Sequence, residues 1–390
     1  MTNRRSRPAR AGGPGRRAAE GAAGARRTSL ALGVLVAGLL AMRAVAPFVG
    51  PAATSPVGAS TDSTAAAAVV ATRPVVLAEA TGTSLFLDGD DGLLRVDLDR
   101  RRVRPVRLPG EAAGGDSGLV ERDGVVVAVR GGVAYAAAGR AGWPAVPLGR
   151  ASYALASARP GRVWLVEETG DADRWFRVRE VAIGRPRAGA ARPGWSSTLP
   201  LGRRPVAGTP GGLLVQLVGP VGGLAVWDPR TGRFGRRLAA ETPLAVVAAS
   251  GRAVAWVEGS ALHLGDLATG RDRVVAPPGG SEGFAAPGAF SPDGRTLAAV
   301  TRVGLSTRPA LALVAVDRAS AVRVDGSEGA LSDRCSPCLA WAPAGDWVFF
   351  SRLGPGFAVG AYRLGRPRAV TVPVDVPGSH PPSFAATRPE

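Results

Sequence analysis

The feature that most constrains the fold is a turn followed by a β-rich apolar run, because this pair recurs along most of the chain. Its clearest copy is "FSPDGRTLAAVT", from Phe290 to Thr301. Further copies include "ERDGVVVAV", "ASGRAVAWV" and "APAGDWVFF". Seven such runs occur, and successive runs begin 38 to 50 residues apart. They begin at Leu85, Val125, Val163, Leu213, Val254, Leu297 and Trp347.

A period near forty residues predicts a repeated four-stranded unit. Segments such as "GLAVWDPRTGRFGRRL" supply two further strands per unit, joined by a Pro-Arg-Thr-Gly turn. We therefore predict an all-β, seven-bladed β-propeller over residues 75–384, with six or eight blades as the nearest alternatives. In each blade, "SPDG"-type turns would join innermost strand A to strand B, and "RTG"-type turns would join strand C to strand D.

Closure into a circle is expected because one four-stranded sheet cannot bury both of its faces, whereas neighbouring blades cover them. We expect the last edge to close through "PVVLAEA" (Pro74–Ala80), paired with strands of the last unit. Residues 385–390 would then form a short C-terminal tail. Two tandem β-sandwiches are the competing architecture, but sandwiches do not require a forty-residue period.

The segments "FSPDGRTLAAVT" and "AWAPAGDWVFF" (Ala340–Phe350) resemble repeats of bacterial TolB-like and WD-repeat-like β-propellers. The resemblance covers residues 75–384 as architecture, but only these two blades as motif. Trp-Asp occurs once, at Trp227–Asp228, and the Gly-His dipeptide is absent. The buried hydrogen-bond tetrad of true WD repeats therefore cannot recur in every blade.

The N-terminus carries the pattern of a membrane-targeting segment. Residues 1–27 are Arg-rich and predict a disordered cytoplasmic tail, whereas residues 28–49 are mostly apolar. Two interpretations remain open: a single-pass signal anchor, or a signal peptide cleaved near "AVA" (Ala44–Ala46). Residues 50–74 are rich in Ala, Ser, Thr, Pro and Gly and predict a flexible linker. Both interpretations place the propeller outside the cytoplasm. An anchor would keep the protein bound to the membrane, whereas cleavage would release it as a secreted protein.

The net charge of +17 resembles that of a nucleic-acid-binding protein, but its distribution favours another explanation. The first 50 residues hold nine Arg and one Glu, and no Lys occurs anywhere in the chain. This usage is typical of a GC-rich bacterial genome. The predicted topology also separates the basic tail from the propeller by the membrane, so we expect no nucleic acid partner.

Few residues in the sequence carry recognisable chemistry. Cys335 and Cys338 are the only cysteines, and outside the cytoplasm we expect them to form a disulfide. His263 alternates with leucines in a strand, and His380 lies in a Pro-rich segment, so neither completes a zinc site or a catalytic triad. We expect no metal, no cofactor and no catalytic residues.

Charge in the predicted turns suggests a binding face. The C–D turns are rich in arginine, and the D–A loops at the other end are rich in acid. The candidate binding residues are Arg230, Arg233 and Arg271, with Trp195 as an aromatic contact. We therefore expect a non-catalytic binding or scaffolding propeller whose partner is a protein or an anionic envelope polymer. The alternative is an envelope hydrolase or lyase with its site at the axial funnel. The arginines are Arg100, Arg101, Arg102, Arg185, Arg187, Arg230, Arg233, Arg271, Arg318 and Arg366, and the acids are Glu111, Asp116, Glu241, Glu282, Asp325, Glu328 and Asp333.

Overall fold

The computed structural model divides the chain into two units, Met1–Ala66 and Ala67–Glu390. It describes Leu77 and residues 79–89, 92–109, 118–138, 144–169, 176–183, 196–199, 202–217, 222–239, 244–302, 308–330, 337–353, 357–376 and 381–389, all in the second unit. The predicted tail (1–27), anchor (28–49) and linker (50–74) lie outside these ranges. None of the residues in these ranges forms a helix of membrane-spanning length and apolarity.

Seven antiparallel sheets of four strands each make up the described part of the chain. Blade I contains β1 (Ser84–Gly89), β2 (Gly92–Asp97) and β3 (Arg102–Val106), with β28 (Ser383–Thr387) on the inner side of β1. Blades II, III and IV contain β4 (Val120–Arg122), β5 (Val125–Arg130), β6 (Val133–Ala138), β7 (Val146–Arg150); β8 (Tyr153–Ala156), β9 (Arg162–Glu168), β10 (Phe176–Ala182), β11 (Ser196–Leu199); and β12 (Arg203–Thr209), β13 (Gly212–Leu217), β14 (Gly223–Asp228), β15 (Arg233–Ala239). Blades V, VI and VII contain β16 (Leu244–Ser250), β17 (Ala253–Glu258), β18 (Ala261–Asp266), β19 (Asp272–Val275); β20 (Gly283–Phe290), β21 (Thr296–Arg302), β22 (Leu311–Ala315), β23 (Ser320–Arg323); and β24 (Leu339–Trp341), β25 (Trp347–Leu353), β26 (Phe357–Arg363), β27 (Val370–Val376).

The sheets form a closed ring, which confirms the predicted seven-bladed propeller. Strand A of each blade contacts strand A of the next, and β24 contacts β28 to complete the circle. Seven apolar clusters lie one at each of the seven blade interfaces. The core is therefore distributed between the blades, as expected for sheets that cannot bury both faces alone. Two separate sandwiches would not place a cluster between the first and last sheets.

Strand B is the most buried strand because a neighbouring blade covers each of its faces. In β1, Leu85, Phe86 and Leu87 are all fully buried, so a continuous apolar run replaces the alternation of a one-sided sheet. Every one of the seven predicted runs forms such a strand B. Outermost strands are exposed, and in β3 the edge is also blunted by Pro105 and by charged neighbours.

The two predicted turn types join the predicted strand pairs, and both lie at the same end of a blade. In the "SPDG" turn, the Ser291 hydroxyl donates to Asp293 at 2.6 Å, and Gly294 has a φ of 71°. This turn joins β20 to β21, which are strands A and B of blade VI. The "RTG" turn joins β14 to β15, strands C and D of blade IV, with Gly232 at a φ of 70°.

The strand that closes the ring differs from the predicted one. β28 pairs with β1 along its length, from Ser84 opposite Thr387 to Asp88 opposite Ser383. The predicted boundary at residue 384 therefore falls inside a strand, and residues 385–387 are not tail. Of the segment 74–80, the described residues 77, 79 and 80 belong to no strand. The C-terminal strand closes the ring because Phe384 fills the apolar interface between blades VII and I.

Candidate functional site

The three predicted binding arginines lie at the C–D turn end of two adjacent blades. Arg230 lies in the β14–β15 turn, Arg233 begins β15, and Arg271 precedes β19 in blade V. All three side chains are exposed. Among the residues that the structure describes, no carboxylate forms an ion pair with any of them. These guanidinium groups therefore remain available to a partner.

Each of these turns folds around its own aspartate. Asp228 accepts hydrogen bonds from the Arg230 amide and the Thr231 hydroxyl, both at 2.9 Å. Asp266 accepts two backbone amides, including that of Thr269 at 3.0 Å. These bonds, the Arg230 and Thr269 amides first, lower the pKa of the two aspartates. The carboxylates thus stay ionised and are used by the turn itself, while the arginines face solvent.

Other arginines predicted for this end already have acidic partners. Arg100 pairs with Asp97 at 3.1 Å, and Arg318 lies 3.8 Å from the neighbouring Asp317. Arg366 pairs with Glu79. In the ranges given above, Arg101 and Arg102 join the three candidate arginines as exposed groups without an ion pair. Arg185 and Arg187 lie outside the described residues.

The chain joins the propeller at this same end. Asp99, in the C–D turn of blade I, accepts the backbone amides of Thr81 at 2.6 Å and Gly82 at 2.9 Å. Glu79 pairs with Arg363 and with Arg366, which flank the C–D turn of blade VII. Residues 79–82 are therefore fixed against two C–D turns just before β1 begins.

The acidic end is less distinct than the sequence suggests. Glu111, Asp116, Glu241 and Asp333 lie outside the described residues. Glu328 pairs with Arg323 at 3.3 Å, and Asp325 forms a β-bridge with Arg368 next to the C–D turn of blade VII. Glu282 is exposed. The C–D turns also contain aspartates, so the two ends differ mainly in which charges remain unpaired.

The remaining predicted residues are placed as follows. Cys338 is fully buried and is not a free cysteine, whereas Cys335 lies outside the described residues, so their mutual disulfide stays a prediction. Trp195 and His380 also lie outside them. His263, in strand C of blade V, stacks on Trp256 with ring centroids 5.2 Å apart and hydrogen-bonds to Asp272 at 2.9 Å. It is thus part of the blade packing. No group of potential metal ligands occurs in the described part of the chain.

Sequence reasoning missed one cleft on blade I. Arg95, Arg100, Arg102, Arg104 and Asp97 line a cavity of about 160 Å³ on β2, β3 and their turn. The arginines predicted for the C–D turns included Arg100 and Arg102, but not Arg95 or Arg104. Their alternation in "RVDLDRRRVR" was the available signal, since alternate residues of a strand share one face.

Comparison with known proteins supports the fold and leaves the function open. No protein-family model matches the chain, and no curated protein sequence matches it. A puromycin-hydrolyzing peptidase from Mycobacterium tuberculosis is structurally similar, with a TM-score of 0.54 and 15% identity, over 79% of this chain and 54% of the peptidase. A periplasmic gluconolactonase from Pseudomonas aeruginosa has a TM-score of 0.51 and 15% identity, over 78% of this chain and 99% of the lactonase. TolB from Acinetobacter baumannii has a TM-score of 0.44 and 11% identity, over 77% of this chain and 79% of TolB. Identities this low concern the fold alone.

Proposed function

We propose that this chain is a non-catalytic binding or scaffolding propeller that presents its C–D turns to an anionic polymer of the bacterial cell envelope or to an acidic protein. The observation that carries the proposal is the set of exposed arginines that form no ion pair with any described residue, Arg230, Arg233 and Arg271. They lie at the end of the blades where residues 79–82 join the ring. We further propose that residues 28–49 hold the protein in the cell membrane, with its N-terminus cytoplasmic and the propeller outside.

The tether and the basic face support each other in this proposal. Because the chain reaches the propeller at the C–D turn end, a membrane anchor would bias that end toward the cell surface. A linker of residues 50–74 would allow a reach of roughly 80 Å when fully extended. The arginines would then meet anionic lipid headgroups or wall polymers at a raised effective concentration.

The energetic contribution of three arginines is large enough to measure. A basic side chain near an anionic surface contributes on the order of 1 kcal/mol. Loss of three such contacts therefore weakens binding by about 100-fold, since every ~1.4 kcal/mol is a factor of ten. The effect should fall as salt rises, because exposed charges are screened over about 10 Å at 0.1 M ionic strength.

The test uses the full-length protein in a non-ionic detergent and an immobilised polyglycerol phosphate. We expect salt-dependent retention that the triple variant Arg230→Glu, Arg233→Glu, Arg271→Glu weakens by about 100-fold. The matched control reverses Arg150, Arg302 and Arg308, which are exposed at the opposite end of their blades. Equal loss of retention in both triple variants would show that only net charge matters and would refute the proposed face.

Membrane attachment has its own test. Fractionation of cells that make the full-length protein should place it in the membrane, and protease added outside intact spheroplasts should digest the propeller. A shorter mature form in the medium would instead establish a cleaved signal peptide and a secreted protein.

An envelope hydrolase or lyase is the second candidate. Its support is limited to the names of two structural neighbours, a gluconolactonase and a puromycin-hydrolyzing peptidase. A screen of lactone, ester and peptide substrates with the purified protein tests it, and turnover that survives repurification would replace the binding role.

A further inference from the structure

We propose that the cleft on blade I binds a single phosphate group, as the free ion or as part of a phosphodiester. The inference rests on the proposed function only for the source of that phosphate. The cleft is distinct from the face formed by Arg230, Arg233 and Arg271, which lie on blades IV and V. Among the described residues, four arginines and one aspartate line it, and together they carry a formal charge of 4 − 1 = +3.

Strand register brings the arginines together. Arg95 of β2 lies directly opposite Arg104 of β3, and Asp97 lies opposite Arg102. Residues two apart on a strand point to the same side, so both cross-strand pairs share one face of the sheet. Within the described residues, no carboxylate forms an ion pair with Arg102 or Arg104. Asp97 is occupied by the amide and side chain of Arg100.

A pair of like charges directly opposite each other on two strands destabilises the sheet. In other blades, the cross-strand pair that lies two residues from the pair nearest the C–D turn does not consist of two like charges. Blade V has His263 opposite Val274 there, and blade VI has Leu313 opposite Val322. Packing therefore does not require arginine at these positions, and Arg104, which forms no ion pair within the described residues, can donate to a bound anion.

Part of the site is held in place before any ligand arrives. The half-buried Arg95 donates to the Ser84 hydroxyl at 3.2 Å, and its guanidinium lies 5.9 Å from the centre of the Phe86 ring. Arg100 is fixed by Asp97 at 3.1 Å. Immobilised donors reduce the entropy lost on binding.

Blade V carries a different group at the same strand position. His263 stacks on Trp256, which is its cross-strand neighbour in strand B of blade V. Arg95 lies against Phe86, which is its cross-strand neighbour in strand B of blade I. Two carboxylates accompany His263, Asp272 at 2.9 Å and Glu258 at 3.9 Å. In blade I the cross-strand neighbour of Arg95 in strand D is instead another arginine, Arg104.

Size and donor chemistry select the ligand class. Sites for whole small molecules are usually about 300–1,000 Å³ and mostly apolar. A cleft of about 160 Å³ lined by guanidinium groups instead fits one compact anionic group. Guanidinium forks match phosphate oxygens geometrically, and a phosphate offers more acceptor oxygens than a carboxylate to several arginines at once.

Isothermal titration calorimetry of the full-length protein in detergent tests the site with two soluble probes. Inorganic phosphate represents the free ion, and glycerophosphoglycerol represents the diester of a lipid headgroup or polymer. We expect saturable binding that Arg104→Gln weakens by about tenfold or more, because hydrogen bonds to charged groups are the strong ones. Arg107→Gln, which removes an exposed arginine just beyond β3 that does not line the cleft, should change the affinity less than twofold.

The outcomes are distinguishable. Binding that is lost in Arg104→Gln and kept in Arg107→Gln supports the site. The probe that binds more tightly than the other identifies the source of its phosphate. Absence of binding by both probes, or equal weakening by both variants, overturns it. Both probes should still bind to the triple variant of Arg230, Arg233 and Arg271. Failure of the proposed C–D face therefore does not affect this site, and failure of this site does not affect the proposed C–D face.

Discussion

Replacement of Phe384 by Ala should open the ring at its closure. Phe384 is only 1% exposed, and it packs in the apolar cluster between blades VII and I. β28 is covalently joined to the rest of the propeller at its N-terminal end only, so the side chains of this short strand hold it in place. The variant therefore tests whether the C-terminal strand closes the fold.

The magnitude follows from burial. Phe→Ala in a core costs about 3–5 kcal/mol, from lost transfer free energy and the cavity that remains. Phe284→Ala is the matched control, because Phe284 is fully buried in strand A of blade VI, where the chain continues on both sides. Both variants should lose similar free energy of unfolding in urea. Only Phe384→Ala should also release its strand locally.

Hydrogen exchange distinguishes the two effects. In Phe384→Ala, amides of β1 that face β28 should exchange much faster at low urea, because Ser84–Gly89 becomes an open edge. The same amides should remain protected in Phe284→Ala. A loss below about 1 kcal/mol for Phe384→Ala, together with full protection of β1, would refute closure by β28.

Further predictions concern packing, titration and the cysteines. Gly208→Ala should lower the free energy of unfolding in urea by about 1–3 kcal/mol, because overpacking strains a tight core. The Cβ of the new alanine would lie 2.2 Å from a backbone carbonyl oxygen of blade III. An unchanged unfolding midpoint would contradict this contact. Hydrogen bonds from a serine hydroxyl and a backbone amide lower the pKa of Asp293, so its stabilisation is present at neutral pH and lost in acid. Burial raises the pKa of Glu121, which therefore destabilises the fold above its unfolded-state pKa of about 4.3. Asp293→Asn should therefore lower the unfolding midpoint at pH 7, and Glu121→Gln should raise it. Both differences should vanish near pH 2. Changes of the opposite sign would contradict these two pKa directions. Mass spectrometry of unreduced protein should show a Cys335–Cys338 disulfide, and two alkylatable thiols in envelope-purified protein would exclude it.

Much of the architecture could be predicted from local signals. Turns such as "SPDG" and "RTG" require specific backbone angles, and the apolar runs after them reflect burial on both faces. These signals lie within one blade, so their recurrence was enough to identify every strand B. The closing strand, Ser383–Thr387, has no such turn before it, and its partner β1 lies almost 300 residues away in the sequence.

The candidate site was only partly predictable for a related reason. Arg230, Arg233 and Arg271 lie in turns, where position in the repeat alone determines which end of the blade they occupy. Arg95 and Arg104 become neighbours only through the register of β2 and β3. Ion pairs between distant segments, such as Glu79 with the arginines of blade VII, were equally invisible in the sequence because they depend on ring closure.

The most direct test of the binding face is hydrogen exchange of the full-length protein with and without soluble polyglycerol phosphate. If the C–D turns contact the polymer, added protection should appear at residues 228–233 and 266–272 and not at the opposite turn, residues 258–261. Protection at that opposite turn, or at no turn, would contradict the proposed face.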